Sequence, residues 1–170
     1  MHNTSLSNTN ILNQTTMTDI PTLRARARQH IDEGAVTSGY AADREAVIAL
    51  LNEALATELV CVLRYKRHYF MAKGIHSESV KAEFQEHALE EMAHADRIAK
   101  RITELGGEPN FSPTGMTERS HAEYIEGDSL YTMIKEDLIA ERIAIESYRE
   151  MILYVGENDP TTSRMLKEIL

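Results

Sequence analysis

Apolar residues return at three- and four-residue steps through most of this chain, the period of a helix buried along one face. Leu51, Leu55, Val62, Tyr65 and Tyr69 make one such stripe and predict a helix from roughly Ala42 to Ala72, ending before Gly74. Phe84, Ala88, Ile98, Ile102 and Leu105 make a second, in a helix from Ser77 to Leu105 stopped by Gly106, Gly107 and Pro109. Ile134, Leu138, Ile145, Tyr148 and Ile152 make a third, from about Asp128 to Val155, with Gly156 as the stop. Asp159 followed by Pro160 reads as a cap and first helical position, so a fourth helix starts there and runs to Leu170. The hinge at Gly74 is short, which makes the first two long helices antiparallel neighbours. Residues 107–127 hold Pro109, Pro113, Gly115 and Gly127 and little helical period, a connection long enough to run back along a bundle. Ahead of the long helices, Pro21 to about Glu33 predicts a short helix capped by Asp19 and stopped by Gly34. The Asn-, Ser- and Thr-rich residues 1–18 read as a disordered arm. The expected organisation is all-α: arm and short amphipathic helix over 1–41, helical bundle over 42–170. No internal repeat is apparent.

Each of the three long stripes is interrupted near its middle by a glutamate: Glu58, Glu91 and Glu141. His94 follows Glu91 by three residues, so the two project from one face about a turn apart. A single such carboxylate can reach solvent from the edge of its stripe. Three of them with a correctly spaced imidazole point instead to a shared partner inside the bundle, because unpaired charge is costly to bury. A metal ion suits them best; hard oxygen donors with one imidazole fit iron, manganese or zinc.

Charge supports this chemistry and removes others. The formal net charge is −9, from 27 acidic and 18 basic side chains, which attracts cations and disfavours nucleic acid. The basic stripe Arg24, Arg26 and Arg28 is a local exception and reads as a solvated helix face. No run approaches 18 consecutive apolar residues, and the N-terminus lacks a basic and then apolar leader, so no membrane span or secretory signal is expected. Cys61 is the only cysteine, which fits a reducing, cytoplasmic setting, and it reads as packing rather than chemistry.

The residues carry a family resemblance. Leu51-Asn-Glu-Ala-Leu-Ala-Thr-Glu58-Leu-Val resembles the first bundle helix of bacterioferritins. Glu91-Met-Ala-His94-Ala-Asp-Arg with Leu105-Gly-Gly-Glu-Pro-Asn resembles the second helix and its exit, and Asp137-Leu-Ile-Ala-Glu141 the third. The resemblance covers residues from about 46 to 170. It implies a ferritin-like four-helix bundle with a long crossover between its second and third helices. It implies a di-iron ferroxidase centre in which Glu58 and His94 are terminal ligands, Glu91 a bridge and Glu141 a ligand from the third helix. Fe(II) would be oxidised there by dioxygen or hydrogen peroxide, and iron stored and detoxified in a hollow cage of assembled homodimers. Tyr65 falls where the family keeps a tyrosine beside the metal site, or is simply an aromatic core residue. Met92 stands where bacterioferritins place the methionine that ligates haem b across a subunit two-fold axis. Its alternative is an interface or core methionine filling a gap.

The family completes its site with a second Glu-x-x-His on the fourth helix. Repeating the 33-residue step from Glu141 puts it near 174, beyond Leu170. The fourth helix therefore reads as cut short, the four ligands as a partial site, and the bundle as left with an open apolar groove. Two other readings stand beside this one. A peroxide-consuming rubrerythrin-like protein would carry Cys-x-x-Cys pairs that this chain lacks, and the Dps type builds its site between subunits. A non-catalytic helical assembly module would use buried carboxylates only to specify pairing and would bind no metal.

Overall fold

The computed structural model describes residues 17–34, 36–75 and 77–170. Among them are six α-helices and no strand: α1 Ile20–Gln29, α2 Arg44–Met71, α3 Ser77–Glu104, α4 Met116–Arg119, α5 Leu130–Val155 and α6 Pro160–Ile169. The fold is an all-α helical bundle, with the expected long crossover running from α3 to α5. The arm lies outside the described residues apart from 17 and 18.

Local chemistry explains the boundaries. Asp19, Asp43, Ser129 and Asp159 each accept a backbone N–H of the first turn of α1, α2, α5 and α6, answering donors that have no partner inside the helix. The helix expected over Pro21–Glu33 stops earlier as an α-helix, and Ile31–Glu33 tighten into a 3₁₀ turn before Gly34. Gly107 is required by a close approach, since a Cβ there would lie 2.8 Å from the Ile48 side chain. One turn of helix, α4, interrupts the crossover that had shown little helical period.

Two apolar clusters run end to end. Val47, Leu51 and Leu55 pack with Ile98, Ile102 and Leu105 and with Met151 and Val155 at one end. Tyr65 and Ala72 pack with Phe84 and Ala88 and with Met133 and Ala140 at the other. Residue numbers rise along α2 as they fall along α3 and α5, so α2 is antiparallel to both and the crossover must return the chain the full length of the bundle. By length and composition α2 could cross a membrane, but 61% of its most apolar stretch is buried, which is the burial of a core helix.

The crossover is strapped to α2 by polar side chains in register. Asn52 donates to the Glu108 carbonyl at 3.3 Å and accepts from the Asn110 N–H at 2.7 Å. Thr57 accepts from the His121 N–H at 2.9 Å, Arg64 donates to the Glu123 carbonyl at 2.9 Å, and His68 Nε2 meets the Ile125 carbonyl at 3.0 Å.

The face of α5 is a correction. Its buried residues are Met133, Asp137, Ala140, Tyr148, Met151 and Val155, about one position round from the stripe read from the sequence. Ile134, Leu138 and Ile145 are 36%, 65% and 41% exposed. Ala140 is buried in the cluster that holds Cys61 and Tyr65 of α2, while Ile134 and Leu138 border a cleft that α6 leaves uncovered. With 10 residues α6 is about 15 Å long. Beyond its end lies the expected apolar groove, a cleft of about 540 Å³ lined by Val80, Phe84, Ile134 and Leu138.

Candidate metal centre

Where the two apolar clusters meet, the three long helices bring polar groups inward. Glu58 on α2 is 2% exposed. Glu91 and His94 on α3 share one face by their three-residue spacing, and His94 Nδ1 lies 3.3 Å from Glu91 Oε2 and 3.4 Å from Glu58 Oε2. One ligating atom from each of Glu58, Glu91 and His94 falls within 4.8 Å of the others. Glu141 on α5 lines the same small cavity, about 70 Å³, with Tyr148, Ile169 and Leu170. It stands outside the tight trio, its carboxylate accepting a short hydrogen bond from the Tyr65 hydroxyl. Met92, one residue from Glu91, is 38% exposed.

The electrostatics are those of a site short of positive charge. Burial, together with the nearby Glu58, pushes the Glu91 carboxyl up to about 7. The adjacent Glu58 and Glu91 carboxylates push the His94 imidazole up to about 10. Glu58 Oε2 is buried without a hydrogen-bond donor. A proton on His94 compensates two carboxylates only in part, and this orphaned oxygen is what a cation would satisfy. Two carboxylates and an imidazole are a donor set suited to iron, manganese or zinc.

Three features of the site could not be read as such from the sequence. Tyr148, visible there only as part of an apolar stripe, donates a short hydrogen bond to Glu58 Oε1. His87 stacks on Tyr65, with ring centroids 5.1 Å apart, which holds the tyrosine that reaches Glu141. His68 has a partner that no spacing within α2 reveals: Asp137 on α5, at 2.9 Å, which also accepts from Arg64 Nε at 2.9 Å. Cys61 is buried as packing, and burial pushes its thiol up to about 12.

Residues 48–170 match the ferritin family, described as a ferritin-like domain. A bacterioferritin from Desulfovibrio desulfuricans is 30% identical over 135 residues, which span 78% of this chain and 72% of the relative. A nutrient stress-induced DNA-binding protein from a Synechococcus strain is 30% identical over 124 residues, spanning 71% of this chain and 70% of its own. A solved structure of a dodecameric thioferritin, the bacterioferritin-related protein of Bacteroides fragilis, matches with a TM-score of 0.73 at 32% identity, covering 76% of this chain and 79% of that one.

Proposed function

We propose, for a chain that belongs to the ferritin-like family, that it takes up Fe(II) at Glu58, Glu91, His94 and Glu141 and oxidises it for storage. The observation that carries this reading is the buried trio, above all Glu58 Oε2, which is shut away from water without a donor. Fe(II) is the substrate, and dioxygen or hydrogen peroxide takes the electrons. Glu58 and His94 would be terminal ligands, with Glu91 shared between two irons, as the resemblance to bacterioferritins implies. Glu141 would join once its free oxygen turns inward. His94 must give up its proton before Nδ1 can ligate, so binding releases a proton to solvent. The carboxylates then balance the added charge as Fe(II) becomes Fe(III).

A homo-oligomeric cage and a cytoplasmic setting belong to the same reading. The bacterioferritin-related relative is dodecameric, and the single cysteine is buried and free. A Dps-type peroxide-consuming reading is the second choice. The trio converges within one chain rather than between copies, which favours the first. Met92 is 38% exposed and would be the residue to hold haem, with its counterpart from a second copy.

The deciding experiment is anaerobic Fe(II) titration followed by oxygen-consumption and peroxide-consumption assays on the protein and on Glu91→Ala. The substitution should abolish tight Fe(II) binding and oxidation; an unchanged oxidation rate would sink the proposal. An absorption spectrum on the same material tests haem, with about half a haem per chain expected if Met92 sits on a two-fold axis.

A further inference from the structure

We propose that Tyr148 and Tyr65 are paired positioning residues, each fixing one oxygen of the carboxylate on the opposite helix so that Glu58 and Glu141 offer a single oxygen each to the ion. The inference rests on the metal-site reading above and adds how its two outer carboxylates are held. Its first support is a repeat that becomes visible once α2 and α5 are seen side by side. Glu53-x-Leu55-x-x-Glu58 followed seven residues later by Tyr65 recurs as Glu136-x-Leu138-x-x-Glu141 followed seven residues later by Tyr148. In each helix the tyrosine stands two turns, about 10 Å, past its own glutamate. The helices are antiparallel, so the equal offsets bring Tyr148 level with Glu58 and Tyr65 level with Glu141. The hydrogen bonds are reciprocal: Tyr148 donates to Glu58 Oε1, and Tyr65 donates to Glu141 Oε1.

The second support is what each bond leaves over. With Oε1 of Glu58 committed to Tyr148, only Oε2 faces His94, 3.4 Å from Nδ1 and without a hydrogen-bond donor. Turning that carboxylate to chelate through both oxygens would break a hydrogen bond in a place water does not reach, because Glu58 is 2% and Tyr148 4% exposed. Glu141 is half-buried and lines the open cleft, where water can reach its carboxylate, although Tyr65 itself is only 2% exposed. The two tyrosines are therefore unequal: Tyr148 is the stricter brace.

Co(II) alone, titrated anaerobically into the full chain, tests this by calorimetry and by its visible absorption, which reports coordination number. The protein should bind Co(II) and Glu91→Ala should not. Tyr148→Phe keeps the ring that packs in the core, and should bind Co(II) roughly 10- to 100-fold more weakly, the usual cost of losing a group that orients a ligand. It should also show a weaker absorption band, as the released carboxylate chelates and coordination number rises. Tyr65→Phe should change both readouts in the same direction by less. Circular dichroism checks the fold; should Tyr148→Phe not fold, Tyr65→Phe carries the same test. Unaltered affinity and spectrum in either folded variant overturn the bracing role. Co(II) binding by Glu91→Ala equal to that of the parent would instead overturn the site itself, whatever the tyrosine variants do.

Discussion

His94 stands between two carboxylates that it cannot neutralise together, and this makes metal binding a competition with protons. In the metal-free fold its imidazole is raised from 6.5 to about 10, and the Glu91 carboxyl from 4.5 to about 7. Both folded values lie above the ordinary ones, so both protonated forms contribute stability at low pH. The Glu91 contribution is lost as pH rises through about 7, and that of His94 as pH rises through about 10. A divalent ion needs the deprotonated forms and moves the other way. We expect the gain in thermal midpoint on adding Zn(II) to grow steadily from about pH 5.5 to about pH 8. A gain that shrinks over that range would mean the ion binds elsewhere. At this scale the convergence of Glu58, Glu91 and His94 was legible because a charge in an apolar stripe stands out against its neighbours. Tyr148 was not, since a tyrosine in a stripe looks apolar until its hydroxyl finds an acceptor on another helix.

The elements divide in the same way, for a physical reason that individual helices make clear. The start of α6 at Asp159-Pro160 depends on contacts within four residues and could be read directly, while α2, expected from about Ala42, begins at Arg44 with Asp43 as its cap. The buried face of α5 depends on which neighbour covers it, so Ile134 and Leu138 looked like core and border the cleft instead. The strap along α2 is likewise tertiary: Arg64 and His68 meet Asp137, which is 73 and 69 residues away in sequence. Asp137→Ala would leave Arg64, 1% exposed, as an unpaired buried charge and loosen the crossover that Arg64 and His68 hold. A loss of about 3–5 kcal/mol in urea unfolding is expected. At α6, Asp159 accepts the Thr162 N–H, pairs with Arg101 at 3.1 Å and accepts from Tyr40 at 3.0 Å. Asp159→Ala removes the cap and one of the two carboxylates paired with Arg101, leaving it only the more exposed Glu104. It should cost about 2–4 kcal/mol, with amide exchange in α6 accelerated before that in α2 or α3. Equal protection across the three helices in that variant would contradict this account of how α6 is fastened.

At the scale of the whole molecule, the bundle is built about two helices with matching Glu and Tyr positions, and its acidity determines how copies meet. Each chain carries a formal charge of −9, so bringing chains together concentrates negative charge around every contact. Large apolar side chains nevertheless reach the surface of the long helices, among them Leu63 at 52%, Phe70 at 74% and Leu89 at 64% exposed. Burying them favours assembly, while the like charges oppose it over roughly 8–10 Å at moderate ionic strength. Association of the kind proposed above should therefore strengthen with added salt, as screening removes the repulsion and leaves the apolar gain. Sedimentation at a fixed protein concentration, from low to high sodium chloride, should show the population moving to larger species. Magnesium should act at lower concentration than sodium because it neutralises carboxylates as well as screening them. Dissociation on adding salt would mean that the copies are held by ion pairs, with the arginines of α1 the first groups to replace.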